Sequence, residues 1–225
     1  MKISKRLRAI GDLIEDNSFI LDVGCDHALL DIYVVTIKNN VKAIASDINE
    51  GPLKGARNNI KKYGLEDKII LRNANGLESY QEGVDTIILS GLGSTTIIDI
   101  LIDGKDILDN INEIIISSNN DYDYLRKNLG ILGFTVDKEL VVNDRNKYYQ
   151  VIKFKKGILN YNKYELKYGK VSSDSTYIEY LKFNRRKLFE IYKLLGFKHF
   201  FSRIKIGQEI RYIDKTLQRL KNVTF

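Results

Sequence analysis

The chain has 225 residues, 44% hydrophobic and 29% charged, enough for one sizeable core and a small appendage. No apolar run approaches the ~20 residues of a membrane span. One cysteine, Cys25, and two histidines, His27 and His199, exclude a disulfide framework and argue against a metal centre. The net charge of +7 is unevenly spread. Residues 1–152 hold 18 Lys and Arg against 23 Asp and Glu, whereas residues 153–225 hold 18 against 6. A basic region on a mildly acidic body suits a polyanion such as nucleic acid or a membrane surface, or else is a solvated lysine-rich helix face.

The basic start, Met1-Lys2-Ile3-Ser4-Lys5-Arg6, leads into acidic Asp12–Asp16 instead of a secretory apolar stretch, so the expected compartment is the cytoplasm. Short apolar runs follow at 19–23, 43–45, 69–71, 86–89, 114–116, 134–136 and 149–154. Being short, rich in Ile and Val and bounded by Asn, Asp or Gly, they predict buried strands. Helix-length segments near 28–38, 51–63, 95–102 and 121–132 separate the first five. Such alternation predicts an α/β fold with a parallel Rossmann-like sheet covered on both faces. Pro52 suits the first turn of the second of these helices. No helical segment lies between the last two runs, where Asn143-Asp144-Arg145-Asn146 predicts the turn of an antiparallel hairpin.

Beyond residue 177 the pattern changes. Ile206, Ile210, Ile213, Leu217 and Leu220 form a heptad seam, and Ile178, Leu181, Leu188, Tyr192 and Leu195 keep the same rhythm, interrupted at Arg185. Two antiparallel helices in a short coiled coil are expected, joined through 196–202 and preceded by a connector over 157–176. The expected domains are therefore 1–156 and 157–225.

The chemistry concentrates at the strand ends. In Phe19-Ile20-Leu21-Asp22-Val23-Gly24-Cys25-Asp26-His27-Ala28, a strand ends near an acid, turns at Gly24 and opens a helix. Ligands of doubly wound sheets lie in this position, and Gly24 lets the backbone approach one. Asp47 closes the next strand 23 residues after Gly24, near the spacing of a carboxylate that accepts ribose hydroxyls. Asn75-Gly76 follows the third strand, where an adenine edge would sit. A dinucleotide site wants glycines where this chain has Asp26 and Leu29, and Asp26 would repel a pyrophosphate. S-adenosylmethionine lacks phosphate and carries a cationic sulfonium, so it is the expected cofactor, with Asp22, Gly24, Asp47, Ile48, Asn75, Gly76, Ser90 and Gly91 as its candidate contacts. After the fourth strand, Ser90-Gly91-Leu92-Gly93-Ser94 leaves room for a planar acceptor, although a glycine turn at a helix entrance accounts for it too.

Ser4-Lys5-Arg6-Leu7, Gly24-Cys25-Asp26-His27-Ala28, Asp47 with Gly51-Pro52, Gly76-Leu77 and Gly91-Leu92-Gly93 together resemble the bacterial TrmK family. The resemblance covers nearly the whole chain. It implies a class I methyltransferase with a C-terminal coiled coil that methylates N1 of adenine 22 in tRNA from S-adenosylmethionine. The chain departs from the family at Asn75, Ser94 and Ser117-Ser118-Asn119, where Asp, Gly and Gln-Pro-Asn are usual. Because N1 of adenine carries a lone pair, no base must deprotonate it, and a carboxylate would instead stabilise the cation formed. The resemblance thus makes Asp26 and His27 the candidate catalytic pair, Asp26 being otherwise a helix N-cap. Lys5, Arg6, Leu92, Gly93, Arg185, Arg186, Arg203 and Lys205 are candidate substrate contacts, with Lys187 beside them. Cys25 is expected to fill a small-residue position, and His199 to pack in the coiled-coil tip among Phe197, Phe200 and Phe201. No metal and no obligate protein partner are expected. A catalytically inactive RNA-binding relative and a small-molecule methyltransferase are the alternatives.

Overall fold

A computed structural model describes residues 3–223; Met1 and Lys2 of the basic start, and the side chain of Phe197, lie outside the described residues. The chain divides into two compact units, Met1–Asn160 and Tyr161–Phe225.

The first unit opens with a helix the apolar runs did not announce, α1 (Lys5–Leu13), capped by Ser4, whose Oγ accepts the amide of Leu7 at 3.2 Å. It buries Ala9, Ile10 and Leu13. Then come β1 (Phe19–Val23), α2 (Leu29–Ile37), β2 (Lys42–Asp47), α3 (Glu50–Tyr63), β3 (Ile69–Asn73), β4 (Thr86–Ser90), α4 (Ser94–Asp103), β5 (Glu113–Ser117), α5 (Tyr122–Ile131), β6 (Phe134–Asp144) and β7 (Lys147–Lys156). The sheet order is β3-β2-β1-β4-β5-β7-β6, parallel through β5 and antiparallel at β7 and β6. Central strands β1, β4 and β5 are apolar runs because helices cover both faces. Pro52 falls in the first turn of α3, where no intrahelical amide is needed.

The hairpin exists, but β6 runs to Asp144, well past the expected 134–136. Its two-residue turn places Arg145 and Asn146 at φ of 51° and 63°, the left-handed pair that matches the strand twist. Two cations are fully buried against it. Arg126 reaches Glu139 at 2.6 Å and Gln150 at 2.7 Å, and Lys153 reaches Glu113 at 2.7 Å and Glu15 at 2.8 Å. Each is paired, as a buried charge must be.

The second unit contains α6 (Lys163–Tyr168), α7 (Ser175–Leu194) and α8 (Phe200–Val223). The expected connector therefore includes a helix. Asn162 caps α6 in a reciprocal box with Glu165, and Tyr164 stacks on Tyr212 at 4.2 Å between centroids. Helices α7 and α8 run antiparallel, since Arg185 meets Asp214 while Tyr192, further along α7, meets Gly207, earlier on α8. Leu181, Ile210, Ile213 and Leu220 of the seam are buried.

Candidate active site

The strand order reverses between the parallel neighbours β1 and β4, and the loops at their carboxyl ends border one cleft. The β1 loop is tied to β2: the amides of Gly24 and Cys25 both donate to the Ser46 carbonyl, at 2.8 and 2.9 Å. Those amides are therefore not a phosphate cradle. Gly24 takes φ +78°, and Asp26 and Ala28 take φ of 52° and 53°. The left-handed conformation costs a non-glycine residue roughly 1–2 kcal/mol, so this loop holds strain of the kind functional sites tolerate.

Helix α2 begins after Ala28, and no side chain caps it. Asp26 is thus not the N-cap. Its side chain is 74% exposed, with Oδ1 3.6 Å from Nε2 of its neighbour His27. His27 is held from α3. Asn59 Nδ2 donates to the His27 carbonyl at 3.0 Å, and a methyl group on Gly55 would lie 2.8 Å from His27 Cε1.

Asp22 is buried, with its carboxyl beside that of Asp31 in the first turn of α2. Burial, with the Asp47 charge added, pushes Asp22 up to about 7, while hydrogen bonding with Asp31 holds it down. Asp31 is raised well above the carboxylate range, first by burial and then by Asp22. Both Asp31 oxygens are buried without any other hydrogen-bond partner among the described residues, which disfavours two negative charges on the pair. Burial also pushes up the thiol of Cys25, which is inert as a nucleophile.

At the β2 end, Asp47 Oδ1 accepts the Asn49 amide at 2.9 Å, and Asn73 Nδ2 donates to the carbonyls of Asp47 and Ile48 at 3.1 and 3.0 Å. The second Asp47 oxygen is open to a ligand, beside an Ile48 side chain left 63% exposed. The Asn75 amide donates to Glu78 Oε2 at 3.3 Å at the start of the short 3-10 turn Gly76–Ser79. Gly76 has φ +53° and packs against Ile100, so its glycine is explained without a ligand.

The β4 loop is held by the loop after β5. Asn119 Nδ2 donates to the Gly91 carbonyl at 2.5 Å, Ser118 Oγ and the Asn119 amide donate to the Leu92 carbonyl at 3.2 and 3.0 Å, and Asn120 Oδ1 accepts the Ser94 amide at 3.0 Å. The divergent Ser117-Ser118-Asn119 segment is thus a brace for the candidate acceptor loop. Leu92 in turn reaches over Gly24, its Cδ2 3.7 Å from where a Cβ on that glycine would sit. Ser90 Oγ and Ser117 Oγ, in register on adjacent strands, are buried without a hydrogen-bond partner among the described residues. Open Asp47, exposed Ile48, unpartnered Ser90 and engaged loop amides fit a nucleoside cofactor that carries no phosphate.

Of the predicted cations, Lys5 and Arg6 lie on α1, with Arg6 Nη2 3.6 Å from a Cβ placed on Gly91. Two others are already used within the helical unit. Arg185 Nε bonds Asp214 at 2.7 Å, and Arg203 Nη1 donates to the Leu195 carbonyl at 2.5 Å while stacking on Tyr192. They hold the hairpin together. Arg186 and Lys205 are exposed. His199 is also exposed and not packed, beside Phe200 and Phe201, which are 60% and 79% exposed. Sequence reasoning missed Gly55, Asn59, Asn120 and Asp31, and named Asn119 only as a departure from the family. A glycine inside a helix was the one visible signal among them. Among the described residues no helix is long and apolar enough to cross a membrane, and no group of three or more His, Cys, Asp or Glu could hold a metal ion.

Residues 3–152 match the family model described as "Methyltransferase domain". The tRNA (adenine(22)-N(1))-methyltransferase of Bacillus subtilis is 32% identical over 153 residues, 68% of this chain and 64% of that protein. The aligned segment therefore spans a little under two thirds of that relative. The structure of TrmK from M. capricolum in complex with the cofactor product S-adenosyl-homocysteine is 30% identical, with TM-score 0.83 over 97% of this chain and 99% of that one. A protein of the NADB-Rossmann superfamily from Streptococcus agalactiae is 29% identical, with TM-score 0.88 over 96% and 98%.

Proposed function

The chain belongs to the methyltransferase-domain family and within it to the TrmK family, and from that premise we propose that it methylates N1 of adenine 22 in tRNA, using S-adenosylmethionine. The observation that carries this reading is the meeting of the two strand-end loops. Leu92 of the acceptor side lies over Gly24 of the cofactor side, so donor and acceptor share one cleft. The names of the B. subtilis and M. capricolum relatives support the substrate and the cofactor.

In this reading Asp47 accepts the ribose hydroxyls with its open oxygen, Ile48 covers the adenine face of the cofactor, and Ser90 Oγ finds there the partner it lacks. The bound cofactor supplies an electrophilic methyl group on a sulfonium. Gly91 and Gly93 admit the target base, which attacks through its own N1 lone pair. Asp26, exposed and in a strained loop, stabilises the positive charge that develops on the base. His27, pinned to α3, fixes the direction in which Asp26 points. Arg186 and Lys205 on the helical unit follow RNA phosphates, and the work is done in the cytoplasm.

The test is calorimetry with S-adenosylmethionine together with methyl transfer to tRNA. Asp47→Ala should weaken donor binding strongly, whereas Asp26→Ala should slow transfer with donor binding kept. Undiminished donor binding in Asp47→Ala would remove the ribose contact, and wild-type turnover in Asp26→Ala would remove that carboxylate from the mechanism.

A further inference from the structure

Beside the acceptor loop stands a group of charges with no counterion. The guanidinium of Arg6, on α1, lies 4.9 Å from the ring centroid of Tyr149, and Nζ of Lys147 lies 4.8 Å from the same centroid. Both Tyr149 and Lys147 are on β7, and Arg6 Nη2 lies 3.6 Å from where a Cβ on Gly91 would sit. Among the described residues neither cation has a carboxylate within 4.0 Å, unlike buried Arg126 and Lys153, each of which is neutralised. Two like charges on one ring repel each other, and the face of the ring compensates each by only about 0.5–1 kcal/mol at an exposed site. An anion bound by both offsets the repulsion. Arg6 is half-buried and positioned by stacking, so its planar fork is ready to take two oxygens of a phosphate, while exposed Lys147 adds a point charge.

We propose that Arg6, Lys147 and Tyr149 form a seat for one backbone phosphate of the RNA strand next to the target nucleotide. The proposal rests on the tRNA reading above and adds to it the contact that fixes the strand at the mouth of the cleft. The phosphate meets Arg6 at the edge of the acceptor loop, and the base attached to it turns inward past Gly91. Tyr149 sets the spacing of the two cations and takes no part in the chemistry.

The test measures binding of unmodified tRNA at several salt concentrations for wild type, Arg6→Ala, Lys147→Ala and the double variant, with donor affinity and thermal midpoint alongside. Loss of the one phosphate contact in the double variant should lower the slope of log affinity against log salt by about 0.7–0.9, and each single variant should lose part of that. Donor affinity should stay at the wild-type value. Arg6→Lys should keep the slope but lose affinity, because charge is retained and the fork is not. Lys147 is exposed on the hairpin, so its variant reports even if a change at Arg6 disturbs α1. Unchanged affinity and slope in Lys147→Ala and the double variant would overturn the phosphate seat, as would a lowered thermal midpoint with an unchanged slope. A wild-type protein that methylates no tRNA would overturn the reading underneath, an outcome distinct from either.

Discussion

The imidazole of His27 rests on Gly55, one helix away, so closely that a single methyl at position 55 would lie 2.8 Å from His27 Cε1. The consequence is unusual for a helix. Glycine inside an exposed helix costs about 1 kcal/mol relative to alanine, so Gly55→Ala should by itself stabilise α3. The same methyl must push His27 away, and Asp26 with it. Gly55→Ala is expected to keep or raise the thermal midpoint while lowering methyl transfer several-fold. A variant that is more stable and fully active would show that the position of His27 does not matter.

Asp22 and Asp31 predict a pH dependence of stability. Burial raises both, Asp22 to about 7. A carboxyl raised on folding contributes stability that is fully present below its ordinary value near 3.8 and is lost as pH climbs through the raised value. The thermal midpoint of the wild type should therefore fall between pH 5 and pH 8. Asp31→Asn keeps a partner for Asp22 and removes the second acid, so its fall should be smaller and its midpoint at pH 8 higher than wild type. Identical profiles for the two proteins would contradict the coupling of the two acids.

The helical unit separates two kinds of arginine one residue apart. Arg185→Ala removes the cross-helix bond to Asp214 and should loosen the hairpin, lowering its thermal midpoint with a modest effect on RNA affinity. Arg186→Ala, combined with Lys205→Ala, should leave the midpoint in place and weaken tRNA binding steeply with salt, as lost phosphate contacts do. Circular dichroism melts and gel shifts on both variants decide. The reverse pattern would move the RNA contact onto Arg185.

The parallel strands and the hairpin were legible because buried parallel strands are apolar runs whose bounds need no knowledge of distant partners. Helix α1 was not. Its buried stripe of Ala9, Ile10 and Leu13 is short, and the acidic cluster at Asp12 and Asp16 drew attention to charge instead of period. At the site, Gly24 and Asp47 were visible from local spacing alone, whereas Gly55 meets His27 from 28 residues away and only folding brings them together. The burial of Asp22 beside Asp31 was not legible, because the two meet only across the turn into α2. The Arg185 interruption of the heptad was itself a signal. A cation at a seam position implies a carboxylate on the facing helix, and Asp214 supplies it.

The most direct measurement is to incubate the full-length protein with labelled S-adenosylmethionine and unmodified tRNA, then digest the RNA and map the labelled nucleoside. The account predicts 1-methyladenosine at position 22, lost in Asp26→Ala while that variant still binds the donor. Label at another nucleoside or position, or no label in RNA from a protein that binds the donor, would contradict it.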